Sequence, residues 1–321
     1  MINASLTNRD WNDITPYPDP AIESFDPTFT KMKVGNAAIE RVYTGARWAE
    51  GPVWFGDHRC LLFSDIPNNR ILRYDEKSGK TSEFRIPSNN TNGNFRDSKG
   101  CLISCEHDSR QVTRTSHSGQ ITVIADSFND KPLNGPNDLC THPDGSIWFT
   151  DPGYGTLFQY EGHWANHELR PSVYRINPND NSLELITDKV LMPNGICFSP
   201  DFSHLYVVET GASHHEDCPR VIYVFDIINN TAINQRVFAE MSPGMSDGIR
   251  TDIYGNIWAA AGWGPEEFNG VHCFSSEGKL IGQIHLPETC ANLCFGGFKK
   301  NRLYMAASQS LYSVYLETIG V

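Results

Sequence analysis

Six short polar motifs carry the chemistry open to this chain. They hold Glu50 in EGPVW, Asn92 in NGNF, Asn137 in PNDL, Asn194 in PNGI, Asp247 in SDGI and Asn292 in ANLC. Each residue stands ten or eleven positions before the second residue of a similar apolar strand, so all occupy one register. The set comprises two carboxylates and four carboxamides, and every side chain has an oxygen to donate. Such a set suits a hard divalent cation, calcium above all, with magnesium or manganese as alternatives. Zinc fits less well, because the set contains no His or Cys. Asn and Asp before Gly are also the commonest turn formers. Six in register, with Glu50 breaking the turn composition, point to a site instead.

The elements that must position these residues are strands. CLLFSD (60–65), CLISCE (101–106), SIWFTD (146–151), HLYVVE (204–209), NIWAAA (256–261) and RLYMAA (302–307) recur every 41 to 58 residues. That is the spacing of propeller blades. Each is followed by an alternating strand: RILRY, QVTRT, SVYRI, VIYVF, GVHCF and SLYSV. A further strand follows in five repeats, and the sixth stops at the C-terminus without one. AIERVY (38–43) precedes the first repeat and can complete the sixth. The expectation is an all-β, six-bladed β-propeller over residues 37–321, with its last blade closed by an N-terminal strand so that no edge stays open. Residues 1–36 read as a Pro-rich and Asp-rich arm without a clear strand. Innermost strands line a propeller's channel, so the six polar residues should ring its axis. Insertions around 153–171 and 211–219 should build the site on one face.

Composition narrows the partners. The chain has 321 residues and a formal net charge of −12. A surplus of acid disfavours nucleic acid and anionic membrane surfaces, both of which require a basic face. No run of about 18 apolar residues is present to span a bilayer. The N-terminus lacks the basic start and apolar stretch of a secretory signal. Nine cysteines, several inside apolar strands, read as reduced thiols in a cytoplasmic setting rather than a disulfide framework.

EGPVWF, GPNDLCTHPDGSIWFTDPGYG, PNGICFSPD and SDGIRTDIYGNIW resemble the gluconolactonase/regucalcin (SGL) family, and the likeness covers all six repeats. The resemblance implies a metal-dependent six-bladed propeller that opens sugar lactones such as gluconolactone. It implies that one divalent cation is held by Glu50, Asn137, Asn194 and Asp247, with Asp247 as general base and Glu50 as its catalytic companion. His107, in a CEH segment like the family's, is then expected to face the pocket. Asn92 and Asn137 are expected to contact substrate. At Gly135, two residues before Asn137, the regucalcin branch carries an arginine that this chain lacks. A related branch hydrolyses organophosphates in the manner of diisopropyl-fluorophosphatase, and a non-catalytic calcium-binding propeller is a third reading.

Other features carry less. Gly244-Met-Ser246-Asp-Gly248 matches the serine-hydrolase string, but strand and turn follow it where that motif needs a helix. The run from His214 to Asp217 reads as a solvated loop or a lid. Trp48, Trp54, Trp148 and Trp258 are expected to pack between blades. Tyr154 and Trp263, in loops near the mouth, are expected to touch substrate.

Overall fold

Short alternating strands joined by tight turns leave each repeat one way to bury its apolar residues, which is to stack as a sheet against its neighbours. The computed structural model describes residues 9–11 and 13–321 and has this architecture. Six antiparallel sheets run outward from a common axis. Blade 1 comprises Ala49–Phe55, Cys60–Asp65, Arg70–Asp75 and Lys80–Arg85. The innermost strands of blades 2 to 6 are Thr91–Arg96, Leu139–Thr141, Pro193–Phe198, Met245–Thr251 and Cys290–Gly296. Each contacts its neighbour on either side, and blade 6 returns to blade 1.

The ring closes as the repeat count predicts. Glu40–Thr44 pairs antiparallel with Ser310–Tyr315 and supplies the outer strand of blade 6. Six apolar clusters hold the toroid together, and each bridges two adjacent blades. Trp148 and Trp258 are fully buried in these clusters, and Trp54 stacks on Tyr304 with ring centres 5.7 Å apart. All nine cysteines are free thiols. No helix among the described residues is long and apolar enough to cross a membrane.

The N-terminal arm differs from its sequence reading. Ile22–Ser24 is a strand that pairs with Leu280–His285 and makes blade 5 five-stranded. A short six-residue helix, Pro27–Met32, follows, with Asp26 capping the Thr28 amide at 3.0 Å. Upstream, Arg9 reaches Asp19 at 2.9 Å and lies 3.9 Å over the Trp11 ring, which packs on Tyr312 of blade 6. Three residues cannot display an alternation, and their pairing partner lies some 260 positions later. The pairing is therefore a product of closure rather than of local pattern.

Candidate functional site

The six polar residues sit at the start of the innermost strands, where pairing to the second strand is irregular. The register shifts between Glu50 and Val53, Thr91 and Asn94, Pro193 and Ile196, Ser246 and Ile249, and Cys290 and Asn292. A bulge at that point breaks the strict alternation and re-aims a side chain. In blade 3 the ladder starts only at Leu139, and Asn137 is held by its amide donating to the Thr150 carbonyl at 2.8 Å. Two ring residues are also pinned by the blade before them. Ser64 donates to the Asn92 carbonyl at 2.7 Å, and Thr150 to the Asn194 carbonyl at 2.8 Å.

The glycines after these residues have a spatial cause. A Cβ on Gly195 would lie 2.1 Å from the Asp247 carbonyl oxygen, and one on Gly93 would lie 2.4 Å from that of Asn137. The Asn-Gly pairs are therefore not turns: the glycines let adjacent inner strands approach.

Glu50, Asn92, Asn137, Asn194 and Asp247 converge on one cavity of about 270 Å3. Two larger hollows, of about 540 and 460 Å3, contain none of them. Asn292, the sixth ring member, is not in the wall. Its amide donates to Glu50 at 2.9 Å and to Asp138 at 3.4 Å, which turns it toward its neighbours.

The electrostatics follow from burial. Desolvation pushes the Glu50 carboxyl well above its usual range, and the Asp138 charge adds to the push, against the bonds from Gly51 and Asn292. Desolvation also raises Asp247 well above its usual range, with help from the charges of Glu50, Asp138 and Glu161, against its bond with Asn194. Arg250, also buried, bonds Asp138 at 3.0 and 3.3 Å, so its charge is engaged there. No lysine or arginine stands in the cavity wall among the described residues. Two carboxylates thus share a buried space without a wall cation to balance them. Asn92 Oδ1 is buried and has no partner. This chemistry fits a hard cation. Among the described residues no three His, Cys, Asp or Glu side chains cluster as metal ligands.

Tyr154 and Trp263 line the cavity. The Tyr154 hydroxyl bonds with Thr210 Oγ1 at 2.7 Å and Ser213 Oγ at 3.2 Å, which ties the two insertions together. Burial pushes that phenol up to about 12, so it stays neutral. His107 does not stand in the wall. It is fully buried behind Asn92, with Nε2 3.2 Å from the Asn92 amide nitrogen. The CEH segment runs along the second strand of blade 2, which carries its histidine one layer back. Trp48 departs from its expected interblade place: it lines the cavity, 5.7 Å from the Trp263 ring. His214 joins the wall and stacks near Phe158 at 6.2 Å, in keeping with a lid. Phe158, Tyr160 and Glu161 also enter the wall from the first insertion, and only the insertion's length had signalled them. Ser246 lies in a strand and donates to the Ala260 carbonyl at 3.0 Å, with no nucleophile elbow.

Residues 48–309 match the SMP-30/gluconolactonase/LRE-like region, SGL. A gluconolactonase from Zymomonas mobilis is 28% identical over 324 residues, covering 93% of this chain and 87% of that one. The solved structure of a gluconolactonase from Xanthomonas campestris aligns with a TM-score of 0.85 at 32% identity, over 96% of this chain and 99% of that one. A solved structure described as a calcium-binding protein, regucalcin, from Agrobacterium tumefaciens shares the fold, with a TM-score of 0.70 at 19% identity, over 88% of this chain and 94% of that one. On this match, which spans the repeat strands of blades 1 to 5 and the inner two strands of blade 6, the chain belongs to the SMP-30/gluconolactonase/LRE-like (SGL) family.

Proposed function

We propose that this chain hydrolyses sugar lactones of the aldonolactone class, such as gluconolactone, to the open aldonic acids. The observation that carries the reading is the pairing of Glu50 and Asp247 in one buried, oxygen-lined cavity, within a chain similar end to end to gluconolactonases.

Glu50, Asn137, Asn194 and Asp247 would hold one divalent cation, calcium first, with magnesium, manganese or zinc as alternatives. When bound, the ion polarises the lactone carbonyl and balances the two buried charges. Asp247 takes a proton from the attacking water as general base. The asparagines cannot carry protons, so Asn137 and Asn194 orient groups and Asn92 Oδ1 accepts a substrate hydroxyl. Tyr154 offers a polar wall and Trp263 an apolar one to the sugar ring. His107 supports Asn92 from behind. The free thiols support a reducing, cytoplasmic setting.

The test is proton release from gluconolactone by stripped protein and by protein with each divalent metal restored. Turnover that returns with metal supports the whole reading. Full turnover after complete stripping removes the cation from it. A protein that binds metal yet opens no lactone is a binding propeller, or a phosphotriester hydrolase if organophosphates are cleaved.

A further inference from the structure

The cavity wall holds a third carboxyl, and the chemistry above leaves it without a task. Glu50 and Asp247 come from innermost strands, whereas Glu161 comes from the insertion that follows Asp151. About a quarter of its side chain (27%) stays open; its charge reaches Asp247 across the cavity, and His107 Nδ1 lies 3.8 Å from Glu161 Oε2. His107 is fully buried, and that nitrogen is turned to Glu161, whose backbone also draws on the ring. Its other ring nitrogen faces the Asn92 amide at 3.2 Å, where an N–H donor needs an acceptor. His107 therefore carries its proton on Nδ1, toward Glu161. Asn92, His107 and Glu161 form a chain that begins and ends in the cavity wall.

Lactone opening requires two proton movements of opposite sense. The attacking water loses a proton, and the ring oxygen gains one as it leaves as a strongly basic alkoxide. Asp247, as base, serves the first. We infer, resting on the lactone reading, that Glu161 is a further catalytic residue that donates the second proton to the departing ring oxygen.

In that step water oxygen bonds the carbonyl carbon and Asp247 takes its proton. The electron pair of the bond between carbonyl carbon and ring oxygen leaves with the oxygen, which takes the Glu161 proton and becomes a hydroxyl. Asp247 then releases its proton and Glu161 regains one through solvent, so lactone and water are converted to hydroxy acid with no other change. His107 Nδ1 stands 3.8 Å from the Glu161 carboxylate left behind. In the metal-free protein desolvation lifts the Glu161 carboxyl to about 7, the direction a general acid requires.

The experiment compares metal-saturated full-length wild type with Glu161→Gln, which has the same shape and no acid proton. Two substrates are used: gluconolactone, whose leaving group is an alkoxide, and dihydrocoumarin, whose leaving group is a phenoxide that departs unaided. Loss of a proton donor predicts about a 100-fold fall in kcat on gluconolactone, within the range for general acids, with KM little changed and a far smaller fall on dihydrocoumarin. Glu161→Ala on gluconolactone should also recover part of its rate when a small weak acid such as imidazolium is added. Glu161→Asp, which keeps the acid, should retain more activity than Glu161→Gln and guards against a folding defect. An equal loss on both lactones, or a loss confined to KM, overturns the inference while leaving the lactonase reading intact. A wild type inert toward both lactones fails at the lactonase reading itself.

Discussion

The side-chain amide of Asn292 in blade 6 donates to Glu50 of blade 1 at 2.9 Å, across the joint where the ring closes. Asn292 is thus a brace for an acid that faces the cavity. Groups that orient a metal ligand typically carry about 10–100-fold of its affinity. Asn292→Ala should therefore weaken divalent-cation binding by that factor while the fold persists, as calorimetric titration of stripped protein would show. Unchanged affinity would make the contact purely architectural.

Asp247 has the sharpest expected phenotype. Asp247→Asn keeps the shape and the oxygen but removes the base, so turnover should fall by about 100-fold or more. Metal should still bind, more weakly, because Glu50 and the asparagines remain. Near-full lactonase activity at saturating metal would remove Asp247 from the role. Glu50→Gln should instead show its main effect in metal affinity.

The buried acids also set a pH dependence for metal-free protein. Both folded-state values are raised above the ordinary carboxylate range, so stability is fully present below that range and is lost as pH rises through the raised values. His107 acts oppositely: burial lowers it from 6.5 to about 4, so it costs stability as pH falls through that window. The informative comparison is therefore between proteins at one pH. Stripped Asp247→Asn should melt above stripped wild type at about pH 8 and lose that advantage near pH 5. Added divalent cation should stabilise wild type more at the higher pH.

Gly195 tests the spacing of the ring. Its missing side chain leaves room for the Asp247 carbonyl, so Gly195→Ala forces blades 4 and 5 apart at the site. Overpacking of this kind costs about 1–3 kcal/mol, and denaturant titration would measure it. Metal affinity should fall as well, since Asn194 and Asp247 flank the displaced point. Gly35→Ala is the control: nothing lies within 4 Å of its added carbon, and its effect should stay within about 0.5 kcal/mol.

What could be read in one dimension was whatever repeats locally. Each blade is a unit of short-range strand pairings, so apolar runs at blade spacing showed the toroid, and one polar residue per repeat, ten or eleven positions ahead of each run, showed the ring. The unpaired AIERVY segment implied the closure that Glu40–Thr44 makes with Ser310–Tyr315. The length of two insertions showed which loops would reach the site.

Direction and depth depended on the closed ring. Whether a ring residue faces the cavity rests on its bulge and its neighbour, which is why Asn292 turns to Glu50 and Asp138 while Asn92 keeps an oxygen free. His107 stands one layer back, and Trp48 and Glu161 stand in the wall, because strand order and loop path set distance from the axis. Ile22–Ser24 became a strand only because blade 5 offered an edge from a distant part of the chain. Residue types and periods are properties of the sequence by itself. Which oxygen, ring or carboxyl ends beside which is decided by contacts between residues far apart in the chain, and those exist only once the six blades have closed.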